Sequence, residues 1–288
     1  MTVINTNVSA TLASNAIARN ERAMGTAMER LSTGKRINSA GDDAAGLAIA
    51  SRMASKVNGL EQAARNASDA ISMIQTVEGA GKEILNILTR MKELAVQSAS
   101  GTNSSTDQDA LDLEFDQLKA EITRIQTNTT WNGKDLMNGD TGAATATSTV
   151  NVQVGDTSGG TNVMALSIKS WNTASDAVPG AYGANDVSAL DISSGGNTGT
   201  AMSTLDSAIS KASEELATYG SYINRLEYAQ DNLLNVAQTT DASRSRIEDA
   251  DYAAETSELA KTQIIAQAGT AMLAQANQIK QTVLALLQ

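Results

Sequence analysis

Between residues 60 and 98, apolar or small side chains recur at alternating intervals of three and four: Leu60, Ala63, Ala67, Ala70, Ile74, Val77, Gly81, Ile84, Leu88, Met91, Ala95 and Ser98. That spacing keeps a single stripe on one helical face and has the pattern of a coiled-coil seam. It predicts a helix roughly 58 Å long at 1.5 Å rise per residue. A second run, Leu111, Phe115, Leu118, Ile122 and Ile125, follows the polar segment "SGTNSSTDQD", which is long enough to reverse the chain into a helical hairpin. A third run, Met202, Leu205, Ile209, Ala212, Leu216, Tyr219, Ile223, Leu226, Gln230, Leu233 and Ala237, is interrupted only by Gln230. Three such seams are best satisfied by packing on one another as an antiparallel bundle.

The pattern changes between residues 131 and 200, which hold 11 of the 21 glycines, the single proline Pro179 and both tryptophans. Alternation of period two in "VNVQV" (Val150, Val152, Val154) and "MALSI" (Met164, Leu166, Ile168) predicts a small β-hairpin set in Gly/Ser/Thr-rich loops. "LDI" at 190–192 is a weaker candidate for a third strand. The fold class is therefore mainly α: long coiled-coil-like helices with a small β-hairpin region inserted between residues 131 and 200.

The two ends carry narrower stripes. Val3, Ala10, Ile17, Met24 and Leu31 fall at seven-residue intervals among polar neighbours. At the other end lie Ile265, Ala268, Met272, Ala276, Ile279, Val283 and Leu286. Each end predicts one long helix with no partner inside its own segment. Such helices are marginal in isolation and fold only against each other or against other molecules.

Composition narrows the chemistry. The chain has no cysteine and no histidine, which removes disulfides, thiol catalysis, the commonest general base and the commonest transition-metal ligand. Aromatic residues are 3% of the chain against 41% hydrophobic in all, so the apolar share is mostly aliphatic and small, suited to close helix contacts. With net charge −11 and no basic cluster interleaved with aromatics, nucleic acid is not an expected partner. No run approaches the ~18 apolar residues of a membrane span, so membrane insertion is not expected, and the N-terminus lacks the charged and apolar regions of a cleaved secretory signal. These features alone point to a cytosolic chain.

The stretch "INSAGDDAAGLAIA" at 37–50 sets two aspartates between glycines. Gly41 and Gly46 have the spacing of a phosphate loop, but Leu47 and Ala48 stand where Lys and Ser/Thr are required. No further oxygen ligands at metal-binding spacing lie nearby. A joint between two helices fits better. Gly34 after "RLST" is a left-handed helix stop, Ser39 and Asp42 fit a capping box, and Asp43 falls in the first turn of the next helix. The C-terminal half has a similar break, with Arg244 and Arg246 ahead of Glu248, Asp249 and Asp251. If the terminal helices are antiparallel, Asp42 or Asp43 is expected to pair with Arg244 or Arg246.

Six segments, "RLSTGKRINSAGDDAAGLAIASRM", "ARNASDAISMIQTVEGA", "LTRMKELAVQSASGT", "TTWNGKDLMNG", "SRSRIEDADYAAE" and "AQAGTAMLAQANQ", closely resemble bacterial flagellin. The resemblance covers about residues 1–140 and 200–288 in family order, with a short middle like that of flagellins lacking large outer domains. It implies a structural subunit that polymerises into the flagellar filament, with no catalytic residues and no cofactor. Residues 1–44 and 243–288 would form the terminal helical core domain lining the filament channel. Residues 45–242 would form the second shell, with 131–200 as its β part. Gly34, Asp42, Asp43, Arg244 and Arg246 would lie in the joint between shells. Ile17, Met24, Leu31, Ile265, Met272, Ile279, Val283 and Leu286 would form the self-assembly stripe, its helices folding on assembly.

The implied partners are copies of the chain itself, hook-associated and cap proteins, an export chaperone on the C-terminal segment, the flagellar export apparatus and the host's flagellin-sensing Toll-like receptor. The receptor segment corresponds to Thr89–Gln97, with Arg90 and Leu94 the chief contacts and Glu114 on the following helix. Export without a cleaved signal to an extracellular filament replaces the cytosolic expectation. The nearest alternative is a hook–filament junction protein, which shares terminal sequence character. The absence of histidine excludes the metallopeptidase insert that some flagellins carry.

Overall fold

The structure, a computed structural model of the chain, describes residues 7–137, 147–157, 159–171 and 187–285, without the side chains of 147–148 and 279–285. Five helices dominate: α1 (Val8–Thr33), α2 (Ala44–Ser98), α3 (Ser105–Asn128), α4 (Thr198–Glu248) and α5 (Tyr252–Ala285). Each begins just after an Asn, Asp or Ser whose side-chain oxygen accepts a first-turn N–H. The caps are Asn7 to Ala10, Asp43 to Gly46, Ser104 to Asp107, Asn197 to Thr200 and Asp251 to Ala253. Such oxygens satisfy amide donors that a helix leaves unpaired at its start. At Ser104 the bond is reciprocal, because Asp107 accepts from the Ser104 N–H.

The chain divides into two compact units, Met1–Val57 with Gln238–Gln288, and Asn58–Ala237. In the second unit all twelve expected seam positions of α2 are buried, among them Ile74, Val77, Met91 and Ala95. The apolar ones from Ala67 to Ala95 pack with Phe115 and Ile122 of α3 and with Leu205, Ala212, Tyr219 and Leu226 of α4 in one continuous core, and Leu60 and Ala63 join a second cluster with Leu233 and Ala237.

The expected hairpin forms from β3 (Thr147–Gln153) and β4 (Val163–Lys169), antiparallel, with Val150 opposite Leu166 and Val152 opposite Met164. Met164, Leu166 and Ile168 join the helical core, which is why β4 shows the alternation most clearly. A smaller hairpin, β1 (Thr130–Trp131) with β2 (Lys134–Asp135), was not anticipated. Its turn is Asn132-Gly133, both at positive φ, the pair that two-residue hairpin loops favour. "LDI" is not a strand. A 3₁₀ turn, Val187–Ala189, precedes it, and side chains rather than a neighbouring strand hold the backbone of 190–194. Asp112 accepts from the Ile192 N–H at 3.1 Å, Ser98 donates to the Ile192 carbonyl at 2.6 Å, and Lys119 donates to the Leu190 carbonyl at 2.7 Å. Pro179 lies outside the described residues.

Trp171 and Tyr219 fasten the β region. The indole N–H donates to the Tyr219 hydroxyl at 3.0 Å with both rings buried, and burial pushes the phenol well above its ordinary range. Beside them the buried Glu215 accepts from the Lys169 N–H and pairs with its ammonium at 3.1 Å. Gly81 leaves the space that the indole fills, since a Cβ there would lie 2.9 Å from the ring.

Candidate assembly interface

In the first unit α1 and α5 pack together antiparallel. Half-buried or buried positions on α1 include Ala10, Ala13, Ile17, Asn20, Met24, Ala27 and Leu31, a complete three/four seam. Sequence reading found only every second member, because Ala13, Asn20 and Ala27 are small or polar. On α5 the matching seam is Leu259, Thr262, Ala266, Gly269, Leu273 and Ala276. Of the expected C-terminal stripe Ala276 lies in this seam, whereas Ile265 and Met272 are 45% and 66% exposed, and Ile264 is exposed as well. The physical reason is close helix approach. Gly269 admits Ile17, whose Cγ1 would lie 2.9 Å from an added Cβ, and the flanking Ile265 and Met272 are turned outward. Ile279 and Val283 lie in α5 without described side chains, and Leu286 and Val3 lie outside the described residues.

Beside this seam runs an open groove of ≈ 380 Å³, lined by Leu12, Ala16, Ile17, Ile265, Gly269 and Met272 among others. Its lining is almost wholly apolar. Polar cross-links sit within the pair itself: Asn20 donates to the Thr262 carbonyl at 2.6 Å, Asn7 to that of Ala276 at 3.3 Å, and Arg30 pairs with Glu255 at 2.9 Å.

The joint belongs to the same unit. Gly34 ends α1 in the left-handed conformation, φ 73°, with its N–H on the Arg30 carbonyl. Two connectors then run side by side: Ala250 N–H donates to the Gly34 carbonyl at 3.0 Å, Arg36 N–H to that of Glu248 at 2.7 Å, and Lys35 bridges Asp249. The Lys35 ammonium meets Glu248 at 2.5 Å.

The expected pairing of Asp42 or Asp43 with Arg244 or Arg246 does not form. Asp42 accepts from the backbone of Asn38 and Ser39 and from the Ser39 hydroxyl, which holds its carboxyl below the ordinary aspartate range. Asp43, not the expected Ser39, caps α2, so the helix begins four positions later than the Ser39–Asp42 capping box implied, and the nearest cation to Asp43 is Arg36 at 3.9 Å. Arg244 bonds Asp241 and approaches Glu248 on its own helix, and Arg246 lies in the last turn of α4. Unpaired backbone donors at a turn and a helix start claim the two carboxylates first. Gly46 is buried because Ile37 packs on it: a Cβ there would sit 2.7 Å from Ile37 Cδ1 and 2.5 Å from Asp43.

In the second unit Arg90 reaches from α2 to Glu114 of α3, Nη2 to Oε1 at 2.9 Å, and also meets Glu93 at 3.1 Å, with all three side chains exposed. Leu94 differs from expectation. It is fully buried in the core with Met91 and Ala95 and offers no surface to a partner. Among the described residues no acidic cluster suits a metal ion, and no helix is long and apolar enough to cross a membrane.

Paired terminal helices, a second helical unit and surface apolar side chains gathered on the terminal pair define a structural protein built for self-association. The family profile for the bacterial flagellin N-terminal helical region matches residues 4–142, and that for the C-terminal helical region matches residues 202–287. A flagellin of Halalkalibacterium halodurans is 43% identical, with 99% of this chain and 100% of that protein covered. A flagellar filament 33 kDa core protein of Treponema phagedenis is 39% identical over the same shares. The crystal structure of Bacillus cereus flagellin aligns at 33% identity over 59% of this chain and 88% of that one, TM-score 0.47. The chain belongs to the bacterial flagellin family. It is a structural subunit of the flagellar filament and not an enzyme.

Proposed function

We propose that the subunit enters the filament through the outward faces of α1 and α5, and that this terminal pair reaches its stable state only on assembly. One observation carries the reading. Among the described residues, seven of the twelve large exposed apolar side chains lie on these two helices: Val8, Leu12, Met28, Tyr252, Ile264, Ile265 and Met272. Apolar surface gathered in this way marks an interaction site. Full burial of one such side chain contributes ~1.5–3 kcal/mol, so covering the half-exposed Leu12, Ile264, Ile265 and Met272 contributes on the order of 3–6 kcal/mol per subunit. A seam in which Ala, Gly, Asn and Thr outnumber the half-buried Ile17, Met24, Leu31, Leu259 and Leu273 gives less of that by itself, so folding and polymerisation are linked. A head-to-tail contact whose rotation does not close builds a helical tube.

In this reading residues 1–44 and 243–288 form the inner, channel-lining domain and 45–242 the second shell. Gly34, Asp42, Asp43, Arg244 and Arg246 belong to the joint. The chain is exported without a cleaved signal to the extracellular filament, with a chaperone on its C-terminal segment and hook-associated and cap proteins at the filament ends. Toll-like receptor recognition falls on the exposed Arg90–Glu114 pair, with Leu94 acting only as support beneath it; undiminished signalling by R90A refutes that assignment.

Seeded elongation followed by negative-stain microscopy tests the main reading. The double variant I265D/M272D is expected to keep the helical content of the second unit and to lose elongation from seeds. Elongation at the unsubstituted rate overturns it.

A further inference from the structure

We propose that Asn20 fixes the register in which α1 and α5 pair, and so selects the surface that the pair presents for assembly. This rests on the filament reading above. The seam itself is poor at specifying register. Ala10, Ala13, Ala27, Ala266 and Ala276 are interchangeable, and a slide of one heptad would set small residues against small residues again. Two features do not survive such a slide. The first is steric: Ile17 enters the space left by Gly269. The second is polar: the Asn20 amide, 9% exposed, donates to the Thr262 carbonyl at 2.6 Å, and Thr262 itself is 2% exposed.

The polar contact is the more discriminating. The Thr262 hydroxyl is already committed to the Glu258 and Leu259 carbonyls of its own helix, so the amide meets only backbone. A backbone carbonyl recurs at every residue, but Asn20 reaches one only where the facing side chain leaves it open. The slide that sets Asn20 against Glu255 buries the amide against a side chain without its acceptor, a cost that an apolar seam does not incur, and the opposite slide, which sets it against Gly269, takes Ile17 out of the gap it fills. A single buried Asn in a coiled-coil seam sets register in this way at the expense of stability. The outer contacts, Asn7 with Ala276 and Arg30 with Glu255, agree with the same alignment but are more exposed and less decisive.

The chain has no native cysteine, so paired cysteines report the alignment directly. I17C/G269C reads the observed register. I17C/T262C and I17C/A276C read slides of one heptad in either direction, which the observed pairing keeps about 10 Å apart along the axis, beyond disulfide reach. Each pair is oxidised in the full chain, free, where the disulfide traps the transiently formed helix pair, and after seeded elongation, with Asn20 retained or replaced by Leu. Leu repeats the branched heavy-atom skeleton of Asn with two methyl groups in place of the amide, so it suits an apolar helix seam and the variant folds. With Asn20 retained, only I17C/G269C closes. In N20L that cross-link is expected to fall about tenfold, a slid pair to rise above background, and elongation to slow. N20Q, which keeps an amide donor, is expected to restore the first cross-link; a purely packing role would instead be met by N20L and lost in N20Q.

N20L that still closes only I17C/G269C overturns the register assignment. N20L that slides yet elongates fully overturns its link to assembly. Failure of the unsubstituted chain to elongate overturns the filament reading while the cross-links still report the register.

Discussion

The terminal helix pair and the helical bundle use the same three/four spacing to opposite ends. In Asn58–Ala237 the stripes of α2, α3 and α4 turn inward, and Ile74, Phe115 and Tyr219 are wholly buried. In the terminal pair Ala, Gly, Asn and Thr outnumber the larger inward residues Ile17, Met24, Leu31, Leu259 and Leu273, and Leu12, Ile265 and Met272 turn outward. Large inward side chains give a unit enough buried area to stand alone. Small inward side chains bring two helices close and leave their larger neighbours for another molecule. The strongest hydrophobic periodicity in a helix therefore does not say which face meets the rest of its own chain.

The sharpest way to break the comparison is to remove one side of it. Deleting residues 266–288 takes away most of the inward seam of α5 together with Met272. The truncated chain is expected to keep the cooperative thermal unfolding of the bundle and to lose polymerisation completely, read by circular dichroism and seeded microscopy. Filaments from it would show that the terminal pair is not the assembly surface.

Point truncations should separate the units next. F115A removes a ring with no exposure and is expected to cost ~3–5 kcal/mol in denaturant unfolding. M272A, at a site 66% exposed, should change monomer stability by less than ~0.5 kcal/mol while raising the subunit concentration needed for elongation. Equal effects of the two on monomer stability would erase the distinction.

At the joint, G46A forces a methyl against Ile37 and Asp43, and the expected loss is about 1–3 kcal/mol. Hydrogen exchange should show it as faster opening of the first turn of α2, with the bundle unchanged. The smallest effect is one of pH. Asp42 accepts backbone N–H bonds that hold its carboxyl below the ordinary 3.8, so the folded joint binds that proton less readily than the unfolded chain. Its contribution is present above about pH 4 and is lost as pH falls through the depressed value. The unsubstituted chain should therefore lose protection at the joint on acidification, and D42N should show a flatter profile over the same range.

Much of the bundle was legible because burial and periodicity coincide there: the seams of α2, α3 and α4 and the alternation of Val150–Val154 and Met164–Ile168 all reappear in the core. The Asn132-Gly133 turn is equally local, an Asn-Gly pair at positive φ between two short strands. Other features were not available to a local reading. "LDI" has the composition of a strand but is held by Asp112, Ser98 and Lys119, residues distant in the chain. Leu94 belongs to the core because α2 is packed along two adjoining lines, Leu94 and Ala95 both being buried, where a narrow seam would leave one of them outside.

By itself the sequence determined that helices form, where they stop and that no histidine or cysteine chemistry operates, since caps, periodicity and composition act locally. Only the tertiary structure decided which stripe of α5 faces inward and which charges meet at the joint. Those outcomes depend on how closely two helices approach at Gly269 and on which backbone donors reach Asp42 and Asp43 first, and both are properties of residues brought together from opposite ends of the chain.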